Sequence, residues 1–134
     1  RRWLIEEYHK CLKSGTDIEQ SQLTTAQHIT VLLGILAVVA VRLLHTKLLA
    51  TTLPQERVRP EELGPEATTI LEKKFGRPRS GWTNQNFWVA VARLGGFLGR
   101  KSDGNPGWIT IWRGWRKLML LVQGFDIAKG RKCG

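Results

Sequence analysis

The chain has 134 residues, with 21 Lys/Arg against 11 Asp/Glu and a formal charge of +10. That length suffices for a workable hydrophobic core. Its two cysteines, Cys11 and Cys133, lack a CxxC neighbour or a His at metal-ligand spacing, which argues against a zinc site and fits a reducing cytoplasm. The charge is uneven: residues 1–76 carry ten Lys/Arg and nine Asp/Glu, whereas residues 77–134 carry eleven Lys/Arg and two acids, Asp103 and Asp126. A basic half of this kind attracts polyanions through counterion release without reading sequence. A soluble domain that is merely basic has the same composition.

Residues 1–13 predict an amphipathic helix. At about 100° per residue with Arg2 at zero, Glu6 falls near 40°, Lys10 near 80°, Lys13 near 20° and His9 near 340°. Leu4, Ile5, Tyr8, Cys11 and Leu12 gather on the opposite side. One carboxylate thus stands among cations, a pattern that suits a metal-and-phosphate site. It equally suits a solvated face, where Arg2–Glu6 and Glu6–Lys10 are i,i+4 pairs contributing about 0.3–0.5 kcal/mol.

The next element is the most apolar. Thr24-Thr25-Ala26-Gln27 has capping-box spacing before a run from Ile29 to Val41, and the helix is expected to reach about Leu49. Crossing a bilayer takes roughly twenty apolar residues, and this run is shorter and meets Arg42. It therefore predicts a helix packed on several sides within the protein, and no membrane partner. His28 and His45 read as surface or packing residues.

Residues 51–81 read as a linker with short helical pieces, punctuated by Pro54, Pro60, Gly64 and Pro65, with one or two turns over Glu66–Phe75. Gly76 to Gly81 reads as a flexible basic loop and the domain boundary. Asn84–Leu94 predicts a helix closed by Gly95-Gly96. Asn105-Pro106 is a plausible N-cap for the last helix. There Trp108, Ile111, Trp112, Trp115, Leu118, Met119, Val122 and Phe125 form one stripe. Such a stripe docks on the preceding helices or meets another chain.

Arg2-x3-Glu6-x6-Lys13 resembles the Tyr-x2-Arg-x3-Glu-x6-Lys signature of the insertion-sequence-four class of bacterial cut-and-paste transposases, with the Tyr expected three residues before Arg2. Ala40-Val41-Arg42-Leu43-Leu44, Thr52-Leu53-Pro54-Gln55, Ala92-Arg93-Leu94-Gly95-Gly96-Phe97 and Trp108-x3-Trp112-x-Gly114-Trp115 are similar, in the same order, to segments of the Tn-five-like members. Residues 58–82 and the tail after Asp126 diverge.

The resemblance implies a DDE nuclease with a ribonuclease-H-like core, in which two Asp and one Glu hold two divalent ions, Mg2+ or Mn2+. Glu6 would be the third carboxylate and a metal ligand, with Arg2, Lys10 and Lys13 holding DNA phosphates. Both Asp would come from strands upstream, so this segment alone is expected to be inactive. The expected fold is mainly α. Residues 1–50 would be the C-terminal helices of the nuclease core, 51–81 a linker, and 82–134 a basic all-α dimerisation domain, with Trp108, Trp112, Trp115 and Met119 as dimer contacts. The implied partners are double-stranded DNA, at transposon ends and target, and a second copy, on the nucleoid in the bacterial cytoplasm. The alternative is a non-catalytic basic helical module that binds nucleic acid or inhibits a transposase by pairing with it.

Overall fold

The computed structural model describes residues 2–15, 22–59 and 63–130; Asp17, Glu19, Pro60 and Cys133 lie outside the described residues. Helix α1 spans Arg2–Lys10 and passes directly into a π-helical turn, Cys11–Gly15. Helices α2 (Ala26–Thr52), α3 (Pro65–Phe75), α4 (Asn84–Leu94) and α5 (Trp108–Ala128) follow. Among the described residues the extended pairing is one antiparallel bridge, Arg57 to Thr83.

The α4–α5 pair is the centre of the molecule. Thr83 begins α4 with a capping box: its hydroxyl accepts from the Asn86 amide, and the Asn86 side chain accepts from the Thr83 amide at 2.8 Å. The C-terminal end closes as expected at Gly95-Gly96. Gly96 takes φ 99°, its amide reaches Arg93 O at 3.1 Å, and the Phe97 amide reaches Ala92 O at 3.0 Å, satisfying carbonyls the last turn leaves open. Helix α5 begins at Trp108 with Gly107 as N-cap, so Asn105 and Pro106 stay in the preceding turn rather than opening the helix.

The two helices cross at a pair of glycines. A Cβ on Gly114 would stand 1.8 Å from Val91 O, and one on Gly95 would stand 1.8 Å from Thr110 O. Backbone therefore touches backbone, which brings Val91 and Ala92 of α4 against Ile111, Trp115 and Leu118 of α5 in a common core. Ala40, Leu43 and Ala50 of α2, Ala67, Ile70 and Leu71 of α3, and Cys11 join the same cluster.

Residues 51–81 connect these helices with structure of their own. The Val58 amide donates to Trp82 O (3.0 Å), Asn84 N to Glu56 O (2.9 Å) and Gln85 N to Pro54 O (3.1 Å). The Asn84 side-chain amide adds a bond to Leu53 O at 2.9 Å. Glu66–Phe75 forms most of an 11-residue helix with Pro65 in its first turn, longer than the one or two turns expected.

Helix α2 departs from expectation in two ways. Thr25 is its N-cap, but the hydroxyl makes no capping hydrogen bond, so the capping box of the sequence is not formed. Packing is also one-sided and starts only at Leu36, with Ala40, Leu43, Leu44 and Ala50 buried beyond it. Ile29, Val31, Leu33, Ile35, Val38 and Val41 are exposed, so the helix is not covered on several sides by this chain. By length and composition alone it is long and apolar enough to cross a membrane. Thr30 donates to Ala26 O and Thr46 to Arg42 O, internal bonds that keep both hydroxyls satisfied along the helix.

Candidate functional site

Helix α1 divides its two adjacent glutamates between two environments, because successive helical residues point about 100° apart. Glu6 lies on the exposed side, where Arg2 Nε donates to its Oε1 at 3.1 Å. Lys13 is on the exposed side as well. Lys10 is exposed too, but stands 3.6 Å from Glu7 Oε1 rather than forming the expected pair with Glu6. Arg2 and Glu6, the pair that the sequence pattern brings together, are thus together in space on a surface open to solvent.

Glu7 turns the other way and is 8% exposed. Its Oε2 accepts from Lys47 Nζ of α2 and from the Trp108 indole Nε1 of α5 at 3.1 Å. Lys47 Nζ also lies 4.6 Å above the Trp108 ring, and Trp108 meets Trp88 of α4 edge-on at 6.0 Å. The hydrogen bond from Lys47 holds the Glu7 carboxyl below the usual carboxylate range; burial opposes this, and the Lys47 charge, the Trp108 donor and Lys10 reinforce it.

The sequence pattern did not single out Glu7. On a helical wheel it sits near 140°, between the polar and apolar sides, and its partners are 40 and 101 residues away. The predicted apolar side is correspondingly rotated: Glu7 and Cys11 face inward with Tyr8 and Leu12 partly covered, whereas Leu4 and Ile5 are exposed. Burial pushes the Cys11 thiol up to about 11, a rise the nearby Lys47 charge moderates and Glu7 adds to.

Among the described residues, no group of three or more His, Cys, Asp or Glu stands together as a metal site. The Glu6 carboxylate is a hard oxygen donor at the surface, the type that Mg2+ or Mn2+ takes, and it fits as one member of a ligand set completed from elsewhere.

The tryptophan stripe of α5 turns inward. Ile111, Trp115 and Leu118 are buried, and Trp108, Trp112, Met119, Val122 and Phe125 pack against the core from its margin. The four residues expected at a dimer contact are therefore covered wholly or partly within their own chain. The Trp112 Nε1 is shielded from solvent and finds no hydrogen-bond acceptor among the described residues. What α5 leaves apolar and open is a different set: Ile109, Leu120, Leu121 and Ile127, with Leu120 65% exposed. Leu120 and Leu121 form one wall of a shallow cleft whose other side is Ile70, Lys73 and Lys74 of α3. Lys73 and Lys129 both stand over the Phe125 ring, at 4.9 and 4.2 Å.

Exposed Arg77, Arg79, Arg93, Arg100, Lys101, Arg113, Arg116 and Lys117 distribute the excess charge of the C-terminal half over its surface. Arg93 stacks over Phe75 at 4.8 Å, and Arg77 Nε lies 3.8 Å from Glu72.

A family model described as the transposase Tn5 dimerisation domain matches residues 37–132. The match begins inside α2 and takes in every element from there through α5, including the glycine crossing and the leucine-lined cleft.

Proposed function

The chain belongs to the family of Tn5 transposase dimerisation domains, and on that footing we propose that it is the C-terminal part of a cut-and-paste DNA transposase of the insertion-sequence-four class. In this proposal the matched helices pair two subunits, and α1 supplies the third catalytic carboxylate of a DDE nuclease. The observation that carries the catalytic part is the split of α1: Glu6, at the signature position, is at the surface beside Arg2, while Glu7 is turned into the protein.

Glu6 would act as a metal ligand, together with two Asp from strands upstream. Two Mg2+ or Mn2+ ions, when bound, would supply the charge that stabilises the attacking and leaving oxygens of an in-line displacement at phosphorus. The residues of this chain hold and orient. Arg2 forks onto a phosphate of the transposon end, giving up its bond to Glu6, and Lys10 and Lys13 add point charges alongside. The basic surface from Arg77 to Lys117 draws in the DNA backbone with a salt-dependent, sequence-independent attraction.

Pairing suits the chemistry, because two transposon ends must be held together for transfer. The side chains proposed for the contact are Leu120, Leu121 and Ile127, apolar residues that α5 does not use in its own core. A closed two-fold arrangement of this surface with its copy is the commonest solution.

The test is Glu6→Ala in the intact transposase, measured as magnesium-dependent cleavage of its terminal DNA. Loss of cleavage with retained DNA binding is the expected result. Cleavage at the wild-type rate would overturn the catalytic assignment.

A further inference from the structure

Resting on the assignment of Glu6 as a catalytic ligand, we propose that Glu7, Lys47 and Trp108 form a positioning triad that sets the rotation of α1 against the dimerisation helices, and thereby aims Glu6. One carboxylate oxygen of Glu7 takes two donors, Lys47 Nζ from α2 and Trp108 Nε1 from α5, the second at 3.1 Å. Lys47 lies over the same indole at 4.6 Å, and the indole rests edge-on against Trp88 of α4 at 6.0 Å. Three helices therefore meet at one charge, and a fourth packs on the indole that serves it.

The arrangement resists sliding and rotation for a chemical reason. Glu7 is almost wholly removed from water, so turning α1 away leaves a buried carboxylate, an ammonium and an indole N–H without their partners. The apolar contacts of α1 hold this rotation only loosely, since Leu4 and Ile5 are exposed, Tyr8 and Leu12 are partly covered, and Cys11 lies at the start of the π-helical turn. Glu6 is the next residue on the same rigid helix. A roll of α1 by a few tens of degrees moves its carboxylate by ångströms, and a misplacement of about 1 Å costs on the order of 100-fold in rate.

The triad touches neither DNA nor the reacting phosphate in this proposal, so its loss should lower turnover and leave DNA affinity in place. The experiment uses the intact transposase with Lys47→Met, Lys47→Arg, Trp108→Phe and Glu6→Gln, and measures the cleavage rate at saturating transposon-end DNA, the KM for that DNA, and the sedimentation of the protein. Lys47→Met and Trp108→Phe should cut about 10- to 100-fold more slowly, with KM changed less than about threefold. Lys47→Arg, which can still donate to Glu7, should recover most of the rate.

Trp108→Phe keeps the ring and removes one donor, so it remains informative if Lys47→Met does not fold. In that variant, amide exchange in the present chain should quicken at Tyr8 to Cys11 and stay slow at Val91 and Ile111. If Lys47→Met and Trp108→Phe cut at the wild-type rate while Glu6→Gln is inactive, the triad is wrong and the catalytic assignment stands. If Glu6→Gln cuts normally, the assignment beneath the triad fails. Equal losses in the rate and in DNA affinity would reduce the triad to a general stabiliser and overturn the positioning role.

Discussion

Replacing Gly114 by alanine should force α4 and α5 apart and destabilise the whole helical core. The added Cβ would stand 1.8 Å from Val91 O, 2.8 Å from Val91 C and 3.0 Å from Gly95 N. A carbon and a carbonyl oxygen need about 3.3 Å or more, so the helices must separate by roughly 1.5 Å at the crossing. All three obstructing atoms are backbone, and no side-chain rotation relieves the clash. A gap of 0.5–1 Å already forfeits about a quarter to a half of a dispersion contact, so the packing of α4 on α5 in the cluster that holds Val91, Ile111, Trp115 and Leu118 is largely lost. That loss is comparable to truncating one or two core side chains, about 3–5 kcal/mol. Against it stands a gain of roughly 0.5–1 kcal/mol from replacing glycine inside a helix. The net, about 3 kcal/mol, is a large share of the roughly 5–15 kcal/mol that holds a domain. Urea unfolding followed by far-ultraviolet circular dichroism is the assay. Gly124→Ala is the control, since on the same helix its Cβ meets nothing within 4 Å; it should stabilise by about 0.5–1 kcal/mol. An unfolding midpoint for Gly114→Ala at or above that of the wild type would refute the close-contact argument.

Further outcomes can be checked on the same chain. Cys11, with its thiol pushed up to about 11 from 9.0, chiefly by burial, should alkylate slowly in the folded protein: its thiolate fraction at pH 8 falls about 100-fold. With Cys133→Ser to remove the second thiol, mass spectrometry of iodoacetamide-treated protein should show fast labelling only in denaturant. The same raised value means that the folded state holds a proton the unfolded state gives up, so this group's contribution to stability is full below pH 9 and declines toward pH 11. Trp112→Phe should cost less than about 1.5 kcal/mol, because Trp112 Nε1 has no acceptor to lose among the described residues, and a larger drop in unfolding midpoint would mean that a bond is made there. Leu120→Glu with Leu121→Glu should reduce self-association by tenfold or more in sedimentation equilibrium, through like charge and lost apolar contact, while leaving the fold unchanged because both residues are exposed. Unaltered self-association would place the subunit contact elsewhere.

The sequence revealed most where local chemistry decides the structure. The helix Asn84–Leu94 and its glycine closure are written in adjacent residues, since a left-handed residue after the last turn calls for Gly96. The α5 stripe was legible as a pattern, but not its destination. Periodicity says that Trp115 and Leu118 share a side with Trp112, and only the crossing of α5 on α4 decides that this side is covered internally. The crossing itself depends on Gly114, whose role is a backbone approach with no side-chain signal. Helix α2 misled for the converse reason. A continuous apolar run implies burial on all sides, yet Ile35 and Val38 are exposed because this chain covers one side of the helix, that of Leu36, Ala40, Leu43 and Leu44. Glu7 was invisible to spacing, because the partners that explain it, Lys47 and Trp108, arrive from α2 and α5.

On the proposed function, the two glutamates of α1 make a physical case for why Glu6 and Glu7 should not be exchanged. A metal ligand must be reachable and free to trade its partners. Glu6 meets both needs, since its bond to Arg2 lies in solvent, where such a pair contributes little and is readily exchanged for another charge. Glu7 meets neither, because its two close donors are fixed on other helices and losing the carboxylate leaves both of them without it. Exchangeability and fixity are both required, but of different residues: a ligand that was itself the structural tie would lose its geometry each time it bound or released an ion. One helical step of about 100° would separate the two proposed duties while keeping them on one rigid backbone. Moving the tie further along the helix would weaken its hold on the direction of Glu6, and merging the two would abolish it.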